Sequence, residues 1–494
     1  VVIGLVTLPQ YAITWDEPEN FSAGRRTLSF YLAFDPGSLA GSPPKLGRAL
    51  PFRDDMLLER YPPFASGIAS FLSLLLSEKT HILHPVAAHH VGVVLLSAAG
   101  VAAAFLIAFG FTGSTGAGLV ASLALGFHPQ YFAHAHNNIK DAPGAAMAAL
   151  GLLSMMMVLK RKTPGAVIAA GIVIGLAAAT KFHGILLVPI GALAVTYAHP
   201  KRPVRLALYF AFCMAAFLAA WPWIGLDPVV HAGKIVRYVS EVGRGMPIVF
   251  RGEFYQAGVT APWYYGPATL ILTTPIPLLV LTLLGVIGVC VKYIRPALRI
   301  GVLLFFLWLG IFLIRMMLPG QVVYNAARQG MEAYVGFAVL AGIGWHTAVN
   351  VGKARAIRFW IILGVVVHLL WIHITLHPYQ ATYYNRLAGT FREASERFEF
   401  DYWGFSLGEM VTWINQNRGD TGSIDTNWVG MDRSFFPGNT HRVVSFDNDA
   451  AYVILPHANN FFEGAVRYWK ERGTLLYTVA RNGADIGYIF VTGK

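Results

Sequence analysis

Cysteine is almost absent: Cys213 and Cys290 are the only two in 494 residues. Both fall inside apolar runs, where a thiol behaves as a small hydrophobe, so neither a disulfide framework nor a cysteine zinc site follows. Charge is scarce too, at 13% of residues, against about 25% in a typical soluble domain. No basic patch interleaved with aromatics occurs, which removes the usual footprint of a nucleic-acid binder. Internal repeats and low-complexity linkers are also missing.

What fills the chain is apolar residues, 55% of the total. Many stand in runs of roughly 17 to 25, long enough to cross a hydrocarbon core of about 30 Å. Spans are predicted near 85–111, 115–132, 142–159, 165–180, 183–198, 204–224, 267–291, 299–318, 330–350 and 358–376. Val1 to Ile13 reads as the remainder of a further, truncated span, because thirteen helical residues reach only about 20 Å. No small-residue cleavage pattern precedes Asp16, which argues against a signal peptide. The run 64–76 is shorter and bounded by Pro63 and Ser77; it reads as an interfacial helix with Phe64, Ile68, Phe71, Leu72 and Leu75 on one face.

Charge supplies the orientation. Four short connections carry three basic residues each and no acid: Lys160, Arg161, Lys162; Lys201, Arg202, Arg205; Lys292, Arg295, Arg299; and Lys353, Arg355, Arg358. The positive-inside rule makes them cytoplasmic, and alternating the spans puts all four on one side. Eight acids fall between Asp16 and Glu78 and thirteen after residue 376, so residues 14–84, 225–266 and the tail are expected outside. The net charge of +12 then reflects topology. The tail mixes charge with short β-branched runs at 441–446, 451–456, 474–480 and 486–492 and a helical pattern at 406–417. A small external α/β domain over 377–494 is expected, packed on a membrane region over 1–376.

An ionisable group at membrane depth is costly and tends to mark function. The short list is Asp16, Glu17, Asp141, Lys181, Arg315, Arg328 and Glu332, all placed by the topology at the outer ends of spans. Each has a structural reading beside the functional one. Asp16 suits a helix cap with Pro18 and Glu19 following, as Asp141 does before Ala142 and Pro143. Lys181 and Arg315 could snorkel, and Arg328 and Glu332, four apart, could pair with each other. His128, His134 and His136 approach Asp141 in sequence, but no ligand spacing stands out, so a metal site is the minor reading. Trp221, Trp223, Trp263, Tyr264 and Tyr265 suit an interfacial belt, and those in the 225–266 loop suit a sugar site equally.

The ordered motifs "DE" at 16–17, "YPP" at 61–63, "HPQYFAHAHNNIKDAP" at 128–143, "GLAAATKFHG" at 175–184, "HPYQATYYNRLAG" at 377–389 and "FDYWG" at 400–404 together carry a resemblance. The chain resembles the GT-C membrane glycosyltransferases, especially the protein O-mannosyltransferase and aminoarabinose-transferase branch and the bacterial phospholipid-carrier-dependent glycosyltransferases. The ten runs and the truncated first segment make about eleven transmembrane helices, and the resemblance implies a polyprenyl-phosphate sugar as donor substrate. It implies a catalytic acid at Asp16 with Glu17 beside it, a second acid at Asp141, and donor-phosphate contacts from Lys181 and Arg328. Tyr61, His136, Asn137, Asn138, His183 and Glu332 are further candidate substrate-binding residues. The 225–266 loop lacks a large β-trefoil insertion, which leaves the acceptor open among glycan, lipid and protein. A cell inner-membrane location with an outward-facing site follows from the same reading.

The chemistry asks for the same groups: a base for the acceptor proton, positive charge for the departing phosphate, and sideways access for a lipid. Alternatives are a transporter or flippase of a lipid-linked or anionic solute, for which inverted repeats and midplane sites are missing. A diphosphate-dependent oligosaccharide transferase, lacking its acidic metal cluster, and a non-catalytic subunit of a membrane complex are the others.

Overall fold

The computed structural model describes residues 1–39, 46, 62–290, 299–351, 355–419, 422–428, 431–447 and 449–492. The protein is a bundle of apolar helices with a five-stranded sheet at one end. Four helices are long and apolar enough to cross a membrane among the described residues: Pro85–Thr112, Asp141–Arg161, Pro203–Ala220 and Phe359–Leu376. A bent pair, Tyr265–Leu272 and Ile276–Cys290, forms a fifth candidate. Thr115–Gly126, Pro164–Ala178 and Phe182–Ala198 are shorter apolar helices.

Val1–Ile13 is helical only over Val2–Thr7 and Leu8–Gln10, the 204–224 run stops at Ala220 and resumes as Pro222–Leu226, and two further expected continuous spans are broken. The 115–132 run divides into helices Thr115–Gly126 and Pro129–Asn137, because Pro129 has no N–H to continue the ladder. The 267–291 run bends by 114° at residues 273–275. Pro275 removes a donor there, while Thr273 and Thr274 turn their hydroxyls back onto the carbonyls of Thr269 and Leu270, both at 2.7 Å. Hydropathy is continuous across both breaks, so a window average passes over them.

The segment 64–76 forms helix Phe64–Ser73 and a π-helical turn Leu74–Lys79. Its small residues Ala65, Ser66, Ala69, Ser70 and Ser73 are buried, while Phe71 and Leu75 are exposed. Close helix approach in the bundle depends on glycine, as membrane packing favours. Helices Ile276–Cys290 and Met331–Val351 touch at two reciprocal points. A Cβ on Gly285 would lie 2.0 Å from Leu340 O, and one on Gly344 would lie 1.8 Å from Leu281 O.

At the chain's C-terminal end, strands β3 (Ser423–Asp425), β4 (Arg442–Val444), β5 (Tyr452–Pro456), β6 (Thr474–Arg481) and β7 (Ala484–Val491) form a sheet in the order β4-β3-β5-β7-β6. A separate hairpin of β1 (Pro247–Phe250) and β2 (Glu253–Gln256) lies in the 225–266 loop. Within the larger sheet β3 runs parallel to β4 and β5, and β7 antiparallel to β5 and β6. The β6–β7 turn places Asn482 and Gly483 at φ 49° and 79°, the left-handed pair that a tight hairpin favours. Helix Leu407–Asn417 buries Met410, Val411 and Ile414 in a core shared with Ile454, Ile489 and Phe490. Tyr11, Ile13, Trp15 and Phe132 belong to the same core, so the sheet rests directly on the turn that carries Asp16. The sequence pattern located β4 to β7 and this helix; the three-residue β3 and helix Glu463–Arg472 carry no periodic signal long enough to read.

Gly285→Leu is expected to force the two helices apart at an overpacking cost of at least about 1–3 kcal/mol, lowering the apparent unfolding midpoint in detergent. Gly364→Leu, where the added Cβ meets nothing within 4 Å, is expected to leave that midpoint in place.

Candidate active site

Five of the scarce ionisable residues meet at one end of the helical bundle. Asp141, the first residue of helix Asp141–Arg161, receives Lys181 Nζ on Oδ1 and Arg328 on Oδ2, both at 3.1 Å. Lys181 also reaches Glu332 Oε1 at 3.1 Å, and Arg328 lies 3.8 Å from Asp16 Oδ2. The sign of charge thus alternates along Asp16, Arg328, Asp141, Lys181 and Glu332. Lys140 approaches the same Asp16 oxygen at 3.8 Å. Asp141, Lys181, Arg328 and Glu332 are buried, whereas the Asp16 side chain keeps 26% of its exposure. Asp16 is therefore the carboxylate of this group that water can reach.

Local structure explains each position. Asp16 precedes helix Glu17–Leu32, yet its side chain makes no capping bond. Instead Trp403 Nε1 donates to Oδ2 at 3.1 Å. Asp141 does not cap its helix either; Asn138 Oδ1 accepts from the Lys140 and Asp141 N–H groups, and Asn138 Nδ2 donates to Asp141 Oδ2 at 2.8 Å. The Pro164–Ala178 helix ends before Lys181, whose extended backbone throws its side chain across to Asp141 and Glu332. Arg328 sits in a single 3-10 turn ahead of helix Met331–Val351. Its sequence partner Glu332 consequently faces Lys181, and the four-residue pairing is not made.

Two buried acids from the 398–406 segment hold this geometry. Glu399 accepts from the N–H groups of Asn325 and Ala326 at 3.0 and 2.7 Å, and from Tyr265 and Asn460. Asn325 and Ala326 both adopt left-handed backbone, φ 57° and 52°, which costs of order 1–3 kcal/mol each unless the surroundings enforce it. Glu399 supplies that enforcement two residues before Arg328. Asp401 accepts from Phe405 N, Ser406 N and Ser406 Oγ at 2.7, 3.2 and 2.5 Å, shaping the turn that presents Trp403. The Arg328 guanidinium lies 4.9 Å from the Trp403 ring centroid and 5.4 Å from that of Tyr324, within cation–π range.

The electrostatics follow from these contacts. Burial opposes the charge on Arg328, but Asp141 and Asp16 outweigh it and hold the guanidinium above its usual range. Burial, only partly offset by hydrogen bonds, pushes Glu399 and Asp401 each up to about 7.

The other candidates lie at varied distances from this cluster. Glu17 turns away from Asp16: Oε2 accepts from Thr14 N and Oγ1, and Oε1 lies 2.5 Å from His90 Nε2. His136 stacks on Tyr11 and meets Thr7 Oγ1 at 2.9 Å, anchoring the first helix. Asn137 donates to Ala12 O at 3.4 Å. His183 stands 3.8 Å from Glu332, and Arg315 donates to Gln329 O at 2.9 Å. Tyr61 lies outside the described residues. No cluster of three His, Cys, Asp or Glu side chains able to hold a metal occurs among the described residues. Sequence reasoning missed Trp403, Tyr324, Lys140 and Glu399; the first and third stand inside quoted motifs, while neither Tyr324 nor Glu399 has a local pattern to expose it.

An apolar groove of about 660 Å³ lies among helices Glu17–Leu32, Phe64–Ser73, Pro164–Ala178 and Pro203–Ala220. Leu28 and Tyr31, Phe64 and Phe71, and Ile172 and Leu176 line it. Phe64 N donates to Ala179 O, two residues before Lys181.

Residues 62–224 match the family model of dolichyl-phosphate-mannose-protein mannosyltransferase. The fold is similar to that of ArnT from Cupriavidus metallidurans bound to undecaprenyl phosphate, at 15% identity and a TM-score of 0.52, covering 99% of this chain and 96% of that one. An Archaeoglobus fulgidus oligosaccharyltransferase in its apo form aligns at 11% identity and a TM-score of 0.47, over 92% of this chain and 69% of that one. No curated protein matches the sequence. The family match is confined to residues 62–224, and the likeness to ArnT over nearly the whole length is one of fold.

Proposed function

We propose that the protein moves a sugar from a polyprenyl-phosphate donor to an acceptor hydroxyl on the external face of the membrane. The observation that carries this reading is the pairing of one accessible carboxylate, Asp16, with two buried cations that a neighbouring carboxylate, Asp141, holds in register. Asp16 takes the proton of the acceptor hydroxyl. The freed oxygen attacks the anomeric carbon, the carbon–oxygen bond to the phosphate breaks, and its electron pair leaves on the lipid phosphate. Lys181 and Arg328 stabilise the charge that collects there, as preorganised cations do in a dry site. Attack opposite the leaving group inverts the anomeric centre. Asp141 and Glu332 position the cations, and Glu17 fixes the turn carrying Asp16. The groove between Leu28, Phe64 and Leu176 suits the prenyl chain, and the match to a structure bound to undecaprenyl phosphate supports that choice of lipid. By the basic loops and the acid-rich remainder, the site faces away from the cytoplasm of an inner membrane.

Asp16→Asn is expected to reduce transfer by about 10²- to 10⁴-fold, the usual worth of a general base, while prenyl-phosphate binding persists. The check is transfer of label from a panel of polyprenyl-phosphate sugars to membrane acceptors; wild-type activity in Asp16→Asn would remove the assignment. Arg328→Lys keeps a charge but loses the planar stack on Trp403, and is expected to weaken prenyl-phosphate binding at least tenfold in a direct titration. A third expectation concerns pH. The raised values of Glu399 and Asp401 mean that the folded protein carries a burial penalty once they ionise, so stability is greatest below the unfolded carboxylate range and falls as pH rises through about 7. The unfolding midpoint should therefore drop between pH 5.5 and 8.5, and Glu399→Gln should flatten that slope.

A further inference from the structure

A second pocket, of about 420 Å³, lies on the external sheet at the ends of β5 and β7, against helices Phe391–Arg397 and Glu463–Arg472. Its volume falls in the range of small-molecule sites, about 300–1,000 Å³, and its walls are polar. Asn459 is buried, and its Nδ2 is used by Ser395 O and Phe398 O, yet its Oδ1 has no partner. His457 donates from Nδ1 to Asp485 O at 2.7 Å. Burial lowers the affinity of that ring for a second proton, which leaves Nε2 as an acceptor. Asp485 takes the Tyr488 hydroxyl on Oδ2 at 3.1 Å and keeps Oδ1 as a further acceptor. Lys470 stands 4.7 Å above the Tyr488 ring and brings an ammonium donor to the edge.

The lining carries three carboxylates, Glu396, Glu463 and Asp485, against two cationic side chains, Arg392 and Lys470. A phosphate or other anion meets an excess of like charge there. A polyhydroxylated neutral ligand brings several hydroxyl donors and oxygens for the lysine. The pocket also borders the transfer site: Phe462 lines it and packs its ring 5.9 Å from that of Trp15, the residue before Asp16.

We infer that this pocket binds a saccharide unit of the acceptor, with the rings of Phe462 and Trp15 between it and the residue that activates the acceptor hydroxyl. The inference rests on the glycosyl-transfer reading for the word acceptor, and on the pocket alone for the word saccharide. The test uses the full chain in lipid nanodiscs and saturation-transfer NMR with methyl glycosides of a neutral hexose, an N-acetylhexosamine and a uronic acid, with inorganic phosphate as competitor. Saturable binding of a neutral glycoside is expected, weakened at least tenfold by Lys470→Ala with Asp485→Asn, and indifferent to phosphate. Lys470 is exposed and Asp485 is partly exposed, and prenyl-phosphate binding by the double variant reports its folding. Absence of saturable binding, undiminished binding in the folded double variant, or displacement by phosphate would each overturn the pocket assignment. Glycoside binding without transfer from any polyprenyl-phosphate sugar would overturn the transfer reading and leave the saccharide site standing.

Discussion

The structure turns on a cost. A charged group held out of water is expensive unless a partner of opposite sign meets it, and the bundle answers by interleaving Asp16, Arg328, Asp141, Lys181 and Glu332. Each residue comes from a different element, so the alternation pins the start of the Asp141–Arg161 and Met331–Val351 helices, the turn after Pro164–Ala178 and the turn before Glu17–Leu32 to one depth. Moving any of them strands a charge, at a cost of about 3–5 kcal/mol for a buried pair.

The C-terminal region belongs to this arrangement. Trp403 is wedged between Asp16 and Arg328, and Glu399 anchors the strained backbone before Arg328. These residues follow the last apolar helix, Phe359–Leu376, and the core under the sheet is continuous with Ile13 and Trp15. A site half made by membrane helices is finished by a segment outside them.

Much of this could be seen in the sequence for one reason. In a chain so poor in charge, an ionisable residue at the end of an apolar run is conspicuous, and Asp16, Asp141, Lys181, Arg328 and Glu332 stood out on that ground. Their pairing did not. Arg328 and Glu332 look like helical neighbours at a spacing of four, but the helix begins only at Met331. Glu17 looks like a second catalytic carboxylate, but its oxygens are taken by Thr14 and His90. His136 stands in a histidine-rich motif and turns out to clamp Tyr11 and Thr7. The helix breaks at Pro129 and Pro275 are local steric events that a hydropathy average smooths away, and Trp403 reaches Asp16 through a fold in the chain that no periodicity encodes.

The bend before Pro275 has a consequence for how the chain is assembled. Breaking a helix inside an apolar layer leaves carbonyls without donors, and lipid offers none. Here Asn385 fills the gap: its side chain donates to Ile271 O and Thr274 O, at 2.7 and 2.8 Å, and its own N–H to Leu272 O at 2.7 Å. During synthesis the elbow therefore emerges more than a hundred residues before its donor does. Until Asn385 arrives, the Leu272 and Thr274 carbonyls must borrow water or a temporary partner, so the elbow reaches its final form only after the ribosome has passed the last span.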